Sequence, residues 1–404
     1  MSSKIALTLS EARRLALHAS LLYGKPKIPK GKEGVRYVIN HLGYTQIDTI
    51  SVIERAHNHT LWTRCPDYKP AYLHQLLAED KAIFEYWGHA MSFLPIEDYR
   101  FYMHAFKRFR TPSDQWSRMR LEKTKTLLPK IMKRIKTEGA LGSKDFENTT
   151  LKKASGWWDW KPAKIALELL YWQGKLMVSS RENFHRKYDL TERVLPTTIN
   201  KKVPPKSEQV QFWILRALQS YGIATASEIK KHIHQVDKKA IDKTIPKLVN
   251  KSKLVELEIS GLKDSYYATQ EYLALNYPIK KQPARLHILS PFDNFIIQRE
   301  RILKLFDFDY TIECYLPKPK RKFGYFVLPI LWGEELVGRL DAKAERRTRE
   351  LKIHTIYLEN NFKPTDAFLK AFSKKLFEFA KFNSCTSILI SKTFPSPLKN
   401  KLKL

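Results

Sequence analysis

Two stretches of this chain repeat one another and a third echoes them, and repetition of this kind has to be read before the fold, because each repeat is one supersecondary unit. "KPAYLHQLLAEDKAIFEYWGHAMSFLP" begins at Lys69 and "KPAKIALELLYWQGKLMVSSRENFHRKYDL" at Lys161. Both open Lys-Pro-Ala, with Pro where its fixed φ and missing N–H suit the first helical turn. Both then run at helical spacing to a Leu pair, Leu76 and Leu77 or Leu169 and Leu170. A short strand follows, expected at Ala82 to Glu85 and at Leu176 to Ser179. The weaker third copy starts at Lys238, where Lys253-Leu254-Val255 repeats the step Lys175-Leu176-Met177.

Further helices precede each copy. Thr8 and Glu11 have the spacing of a capping box, and Ala12, Leu15, Ala16, Ala19 and Leu22 share one helical face. The segments from Pro129 and Ser207 have the same layout of helix, glycine break and second helix start, at Ser143 or near Thr225 and Ser227. Helix, turn, helix, strand and hairpin wing, about three times over, predicts tandem winged-helix units. The expected division is 1–110, 111–203 and 204–283, with Pro-containing basic linkers near "KRFRTPSDQWSR" and "TTINKKVPPKSEQ".

Beyond about residue 284 the pattern changes to strands bounded by turn signals at Gly333-Glu334 and around Arg347. Alternation places Arg339, Asp341 and Lys343 on one face of a strand and Gly338, Leu340 and Ala342 on the other. The expectation for 284–404 is a small, mainly antiparallel β domain with a polar basic face, a closing helix from Phe362 to Phe382 and a loose basic tail from Ser391. The fold class is therefore α+β.

Charge narrows the partners. The 72 Lys and Arg against 41 Asp and Glu leave a formal +31 over 404 residues. A basic excess spread along a folded chain favours a polyanion, most commonly nucleic acid. No apolar run of about 18 residues and no signal-peptide pattern appears, so a membrane is not expected. Cys65, Cys314 and Cys385 are too few and too far apart for a disulfide framework or a Cys-rich zinc site, which suits a reducing cytoplasm. His57-Asn58-His59, His232 and His234 do not have separated ligand spacing, so no metal and no cofactor is expected. Trp157, Trp158 and Trp160 read as core packing or linker anchoring.

One local feature stands out against this background. In "HLGYTQIDTISVIERAHNHTLWTR" (residues 41 to 64), Gln46 and Asp48 flank Ile47, so in a strand an amide and a carboxylate project side by side. Such polar residues can simply cap backbone groups at a strand edge.

Gln46-Ile47-Asp48, "FEYWGHAMSFLP" (84 to 95), "LSPFDNFIIQRERILKLFDFDYTIECYLPKPKRKFGYFVLPIL" (289 to 331) and "VGRLDAKAER" (337 to 346) together resemble the YcaQ/AlkZ-type winged-helix DNA glycosylases over roughly residues 8 to 360. The resemblance implies a monofunctional glycosylase that removes alkylated purines, including N7-linked guanine adducts and interstrand crosslinks, in base excision repair without a metal. It places the catalytic motif, Gln, an aliphatic residue, then Gln or Asp, on Gln46 and Asp48, in the Asp form of the YcaQ-like branch. Candidate DNA contacts are Trp87 and His89 at the first wing, the basic run Lys320, Arg321 and Lys322 with Lys318 beside it, and Arg339 and Lys343. The expected partner of this monomer is double-stranded DNA carrying alkylated bases, met at the nucleoid. The other functional class left open is a winged-helix transcriptional regulator without catalysis.

Overall fold

The computed structural model describes residues 4–146 and 162–402; Trp157, Trp158 and Trp160 lie outside the described residues. The chain divides into two compact units, 1–68 with 88–92 and 210–404, and 69–87 with 93–209.

In the second unit, Pro70 opens the helix Pro70–His74 from its first turn, and the strand Ile83–Trp87 follows. The helices Leu127–Glu138 and Pro162–Trp172 lead to an antiparallel hairpin, Leu176–Glu182 with His185–Leu190, and Leu141 bridges to Tyr188. The expected strand starts at Leu176 as read, and the one read at Ala82 starts at Ile83. The buried Glu85 carboxylate is held by Arg181 at 2.5 and 2.7 Å and by Arg186 at 3.2 Å. A buried carboxylate stays ionised only with such compensation. Gly174 sits at φ +66°, and a Cβ there would come within 2.8 Å of the Phe106 ring, so the turn into the hairpin admits no side chain.

The first unit begins with the expected capping box, Thr8 with Glu11, on the helix Leu9–Ala19. From Val210 on it holds most of the helix Lys206–Tyr221, a bridge from Ala224 to Tyr267, the helices Ala226–His232 and Lys238–Asn250, and the hairpin Leu254–Ile259 with Tyr266–Thr269. Thr225 and Glu228 form a second capping box. Ile5–Leu7 adds to this hairpin as a parallel third strand.

The C-terminal part of this unit is a five-stranded sheet. Its order is Ser387–Phe394, Glu350–Leu358, Glu335–Glu345, Val327–Trp332 and Leu286–Ile288. All neighbours are antiparallel except the first pair, which is parallel. The long helix Asp366–Phe382 supplies the crossover a parallel pair requires. Two expectations fail here. The tail is not loose from Ser391, because that residue continues the strand Ser387–Phe394. The strand Glu335–Glu345 has no polar basic face: as the middle strand of the sheet it is buried from Leu336 through Ala342, and its register shifts between Asp341 and Ala342. A strand covered on both faces leaves alternation no solvent face to reveal.

Candidate active site

The helix Gly31–Leu42 buries Val35, Val38, Ile39 and Leu42 and stops at Gly43, which is left-handed at φ +79° and donates its N–H to the Ile39 carbonyl. A Cβ on Gly43 would also press on Arg216 Cδ at 3.1 Å and His232 Cε1 at 3.2 Å. Glycine meets both demands, and the chain turns directly into Tyr44. Tyr44 is fully buried, and its carbonyl accepts from Asn294 Nδ2 at 3.0 Å. Its ring lies 5.1 Å from that of His232, whose burial drives its pKa down to about 3, so this histidine is neutral packing.

Thr45 and Gln46 form a two-residue strand, and the Ile47 N–H donates to the Met91 carbonyl at 2.8 Å. Regular strand pairing then ends. Asp48 is half-buried, and its Oδ2 accepts the Ile50 N–H at 3.0 Å, closing a local turn. The backbone-capping role therefore exists, but it occupies an unusual carboxylate. Burial raises the Asp48 pKa above its ordinary value, against the lowering effects of the Ile50 and Thr49 N–H groups and the nearby Arg55 charge. Gln46 Oε1 is buried without a hydrogen-bond partner among the described residues. An orphaned buried acceptor costs about 1–3 kcal/mol, so this one calls for a reason.

The backbone beyond Asp48 is fixed from several sides. Arg346 Nη1 donates to the Ser51 carbonyl at 2.8 Å and Nη2 to Ile53 at 3.4 Å. The Ala344 N–H donates to the Val52 carbonyl at 2.9 Å, and the Glu54 N–H to Asn383 Oδ1 at 2.7 Å. The helix Ala56–Arg64 then begins, and its last residue enters a fully buried pair with Asp293.

A second loop feels the carboxylate. Burial raises the pKa of both Cys314 and Tyr315, and the negative charge of Asp48 adds a smaller contribution to each rise. The basic run lies on this same loop, which is no two-stranded hairpin: it contains a short 3-10 turn, Lys318–Lys320, and folds around Glu313. The buried Glu313 carboxylate accepts the N–H groups of Lys322, Phe323 and Gly324 at 2.9–3.1 Å. Lys318, Lys320 and Lys322 are exposed, while Arg321 donates Nε to the Leu316 carbonyl and lies over the Tyr325 ring.

The remaining candidates divide. His89 is half-buried, has a lowered pKa through burial, and bonds through Nδ1 to the Lys231 carbonyl at 2.9 Å. Its ring is 6.0 Å from that of Tyr44, beside an open cleft of about 360 Å³ lined by Lys231, His234 and Arg299. Trp87, in the other unit, is 46% exposed. Lys343 is exposed and paired with Glu345 at 3.0 Å. Arg339 does not face solvent: it is 4% exposed, bonds Glu359 and the Asp309 carbonyl, and stacks between Phe308 and Phe323. It is a structural cation, misread because the bulged strand was assumed to have a solvent face. Asn294, Arg346, Glu313 and Tyr315 fall inside the motif segments, yet periodicity gave none of them a role.

No group of three or more His, Cys, Asp or Glu among the described residues is placed to hold a metal ion. His59 instead bonds the Ile288 carbonyl at 2.9 Å, and burial lowers its pKa to about 4. Among the described residues no helix is long and apolar enough to cross a membrane.

Among solved structures, the Streptomyces sahachiroi DNA glycosylase AlkZ is similar, with a TM-score of 0.63 over 96% of this chain and 100% of that one, at 14% identity. At that identity the likeness speaks for the fold. A family model, DNA glycosylase AlkZ-like, matches residues 39–382, which include the Gln46 to Asp48 turn, the Glu313 loop and the bulged strand. That match spans most of the chain, and the protein belongs to the AlkZ-like DNA glycosylase family.

Proposed function

We propose that this DNA glycosylase hydrolyses the N-glycosidic bond of alkylated purines, N7-alkylguanine adducts and the interstrand crosslinks they form, in base excision repair, with Asp48 and Gln46 as the reacting pair. The observation that carries the reading is Asp48: a half-buried carboxylate with a raised pKa, two residues from an unpartnered buried amide oxygen. Two buried structural carboxylates, Glu85 and Asp293, are by contrast matched to arginines. Perturbed, incompletely compensated groups mark functional sites more often than structural ones.

The chemistry asks little of the protein's acid side. An N7-alkylated guanine is already cationic, so it departs as a neutral base when the C1′–N9 bond breaks, and the electron deficit passes to the sugar. Asp48 stabilises that oxocarbenium charge and takes a proton from the water that forms the new C1′–O bond. Gln46 Oε1 accepts a hydrogen bond from the same water or from the sugar. The step is monofunctional, since water and no lysine attacks C1′. Phosphate contacts are assigned to the exposed Lys318, Lys320 and Lys322, with Arg321, Lys343, His89 and Trp87 as further DNA contacts, to a protein acting as a monomer at the nucleoid. Crosslink unhooking follows if the same pair serves a base that is still attached to the opposite strand.

A regulator that only binds duplex has no use for Asp48 as it stands. The test is single-turnover release of N7-methylguanine, read as alkali-labile abasic sites, with wild type and Asp48→Asn. We expect Asn to slow release by about 10²–10⁴-fold, the range for a positioned base, with DNA affinity within a few fold. Unchanged release by the variant would refute the assignment.

A further inference from the structure

We propose that the cleft beside Tyr44 holds one backbone phosphodiester of the DNA strand that carries the target nucleotide, with Arg299 as its principal cation. The inference rests on the reading of Gln46 and Asp48 as the reacting pair and names what grips the strand beside them. The cleft has a volume of about 360 Å³ and is lined by His89, Lys231, His234, Gln298, Arg299 and Glu300. His89 and His234 stand on its wall with ring centroids 5.2 Å apart, and His89 stacks on Tyr44 at 6.0 Å with 13° between the rings. The segment that carries His89 also pairs with the candidate motif, since the Met91 carbonyl accepts the Ile47 N–H at 2.8 Å. From Tyr44 to Asp48 the chain spans at most about 14 Å. Cleft and carboxylate therefore border the same short strand.

Charge selects the ligand. Arg299 donates Nη1 to the Ile296 carbonyl and Nη2 to the Pro291 carbonyl, and its guanidinium lies 4.8 Å from the Tyr310 ring centroid. A guanidinium has further N–H donors to offer, and no carboxylate pairs with this one among the described residues. Buried arginines of the same unit are matched, Arg64 by Asp293 and Arg301 by Glu228, each at 2.7 Å. On the same cleft Lys231 bonds the Glu300 carboxylate at 2.5 Å, so those two charges cancel. Burial lowers the pKa of His89 and of His234, so both are neutral at pH 8. The cleft keeps one uncompensated positive charge, that of Arg299, and a phosphodiester carries the single negative charge that balances it.

The backbone adds to that charge. Arg299 opens the eight-residue helix Arg299–Phe306, and its N-cap residue Gln298 makes no capping bond. The Gln298 amide turns instead to Tyr221 Oη at 2.8 Å and to the Glu228 carbonyl at 2.9 Å. The N–H groups of an uncapped first turn, with the helix dipole behind them, favour an anion. His89 spends its Nδ1 hydrogen on the Lys231 carbonyl at 2.9 Å, so its neutral ring has none left on Nε2. The donors offered to a phosphate oxygen are therefore those of Arg299, Lys231 and the helix end.

The experiment replaces backbone phosphates one at a time by neutral methylphosphonates around a 2′-fluoro N7-methylguanine, whose glycosidic bond resists cleavage. Dissociation constants are measured at pH 8 for wild type, Arg299→Gln and Glu300→Gln. We expect one position flanking the lesion at which the methylphosphonate weakens wild-type binding roughly 10- to 100-fold, the range of a charge-assisted hydrogen bond. Arg299→Gln should weaken binding of the unmodified duplex by a similar factor and lose nothing further at that position. Glu300 is exposed, and Glu300→Gln removes the charge that balances Lys231. This variant should bind the unmodified duplex roughly 2- to 5-fold more tightly and lose the gain at the same position. Misfolding cannot imitate that direction, so Glu300→Gln carries the test alone if Arg299→Gln unfolds. A scan with no position coupled to Arg299, or a Glu300→Gln variant that binds no tighter, overturns the proposal. Release of N7-methylguanine from a cleavable duplex by wild type is followed in parallel. Its absence would overturn the substrate reading, while a phosphate coupled to Arg299 would still stand as a DNA contact.

Discussion

Asp293→Asn tests whether the longest motif in the sequence acts through structure. Asp293 and Arg64 are fully buried and joined by two bonds, Nη1 to Oδ2 at 2.7 Å and Nη2 to Oδ1 at 2.9 Å. Arg64 also donates to the carbonyls of Ser20 at 2.9 Å and Thr60 at 3.1 Å, and Asp293 Oδ1 accepts the Phe295 N–H at 2.9 Å. The Asn variant can keep Oδ1 for Phe295 and Nη2. In that orientation its amide NH₂ faces the Nη1–H, donor against donor, and the guanidinium is left buried without a counter-charge. Breaking one side of a buried pair costs about 3–5 kcal/mol. Set against a typical total of about 5–15 kcal/mol, that is a large share.

The assay is urea unfolding followed by tryptophan fluorescence, for wild type, Asp293→Asn and the doubly apolar Arg64→Met with Asp293→Leu. The two compact units can unfold separately, so the transition carrying the loss is assigned before energies are compared. The double replacement should cost less than Asp293→Asn alone, because no charge is left stranded. A loss below about 1 kcal/mol for Asn, or a double variant that costs more than Asn alone, would refute the claim that this pair is structurally critical.

Three further expectations use different readouts. Since the folded-state pKa of Asp48 is raised above its ordinary 3.8, ionised Asp48 disfavours folding at neutral pH, so Asp48→Asn should melt no lower than wild type there; its advantage should fade as pH falls through the raised pKa toward 3.8, while wild-type excision declines over the same window. A variant that melts lower at neutral pH would contradict this. Changing Lys320, Arg321 and Lys322 together to Ala should lower the salt slope of duplex binding by up to about 2.7, three phosphates' worth, and spare the rate at saturating protein; a collapsed rate at unchanged affinity would place the loop in the chemistry instead. Arg339→Ala should leave the salt slope unchanged and reduce stability by about 1–3 kcal/mol, since its guanidinium packs between two aromatic rings and bonds Glu359; a shallower slope would return it to the DNA face.

Periodicity and caps made much of the helical framework legible. Thr8 with Glu11 caps as read, a helix starts at Thr225 as read, the strands read after the two Leu pairs begin at Ile83 and Leu176, and the strand of the third copy begins at Leu254. These are local signals, decided within one turn of helix or one strand. What failed was non-local. Ser391 carries no strand signal of its own and is ordered as part of a parallel edge strand paired to Glu350–Leu358. Arg339 alternates correctly in sequence, but the strand is covered on both sides, which alternation cannot reveal.

The site itself was half legible for the same reason. Gln46 and Asp48 form an odd polar pair in the sequence, but their geometry is set by residues from 250 to 329 positions away. Asn294 holds the Tyr44 carbonyl on one side of the pair, and Arg346, Ala344 and Asn383 hold the carbonyls and N–H of residues 51 to 54 on the other. The backbone between these anchors pairs only over the two-residue strand Thr45–Gln46 and at Ile47, and then makes the turn closed by Asp48. A chain this short of its own pairing would fray in isolation, and a carboxylate on it would relax into solvent and recover its ordinary pKa. The distant motif segments therefore keep Asp48 half-buried. That explains why a β domain remote in sequence belongs to the same recognisable pattern as the three residues Gln46-Ile47-Asp48: it supplies the fixed frame that holds the Asp48 carboxylate where its perturbed pKa persists.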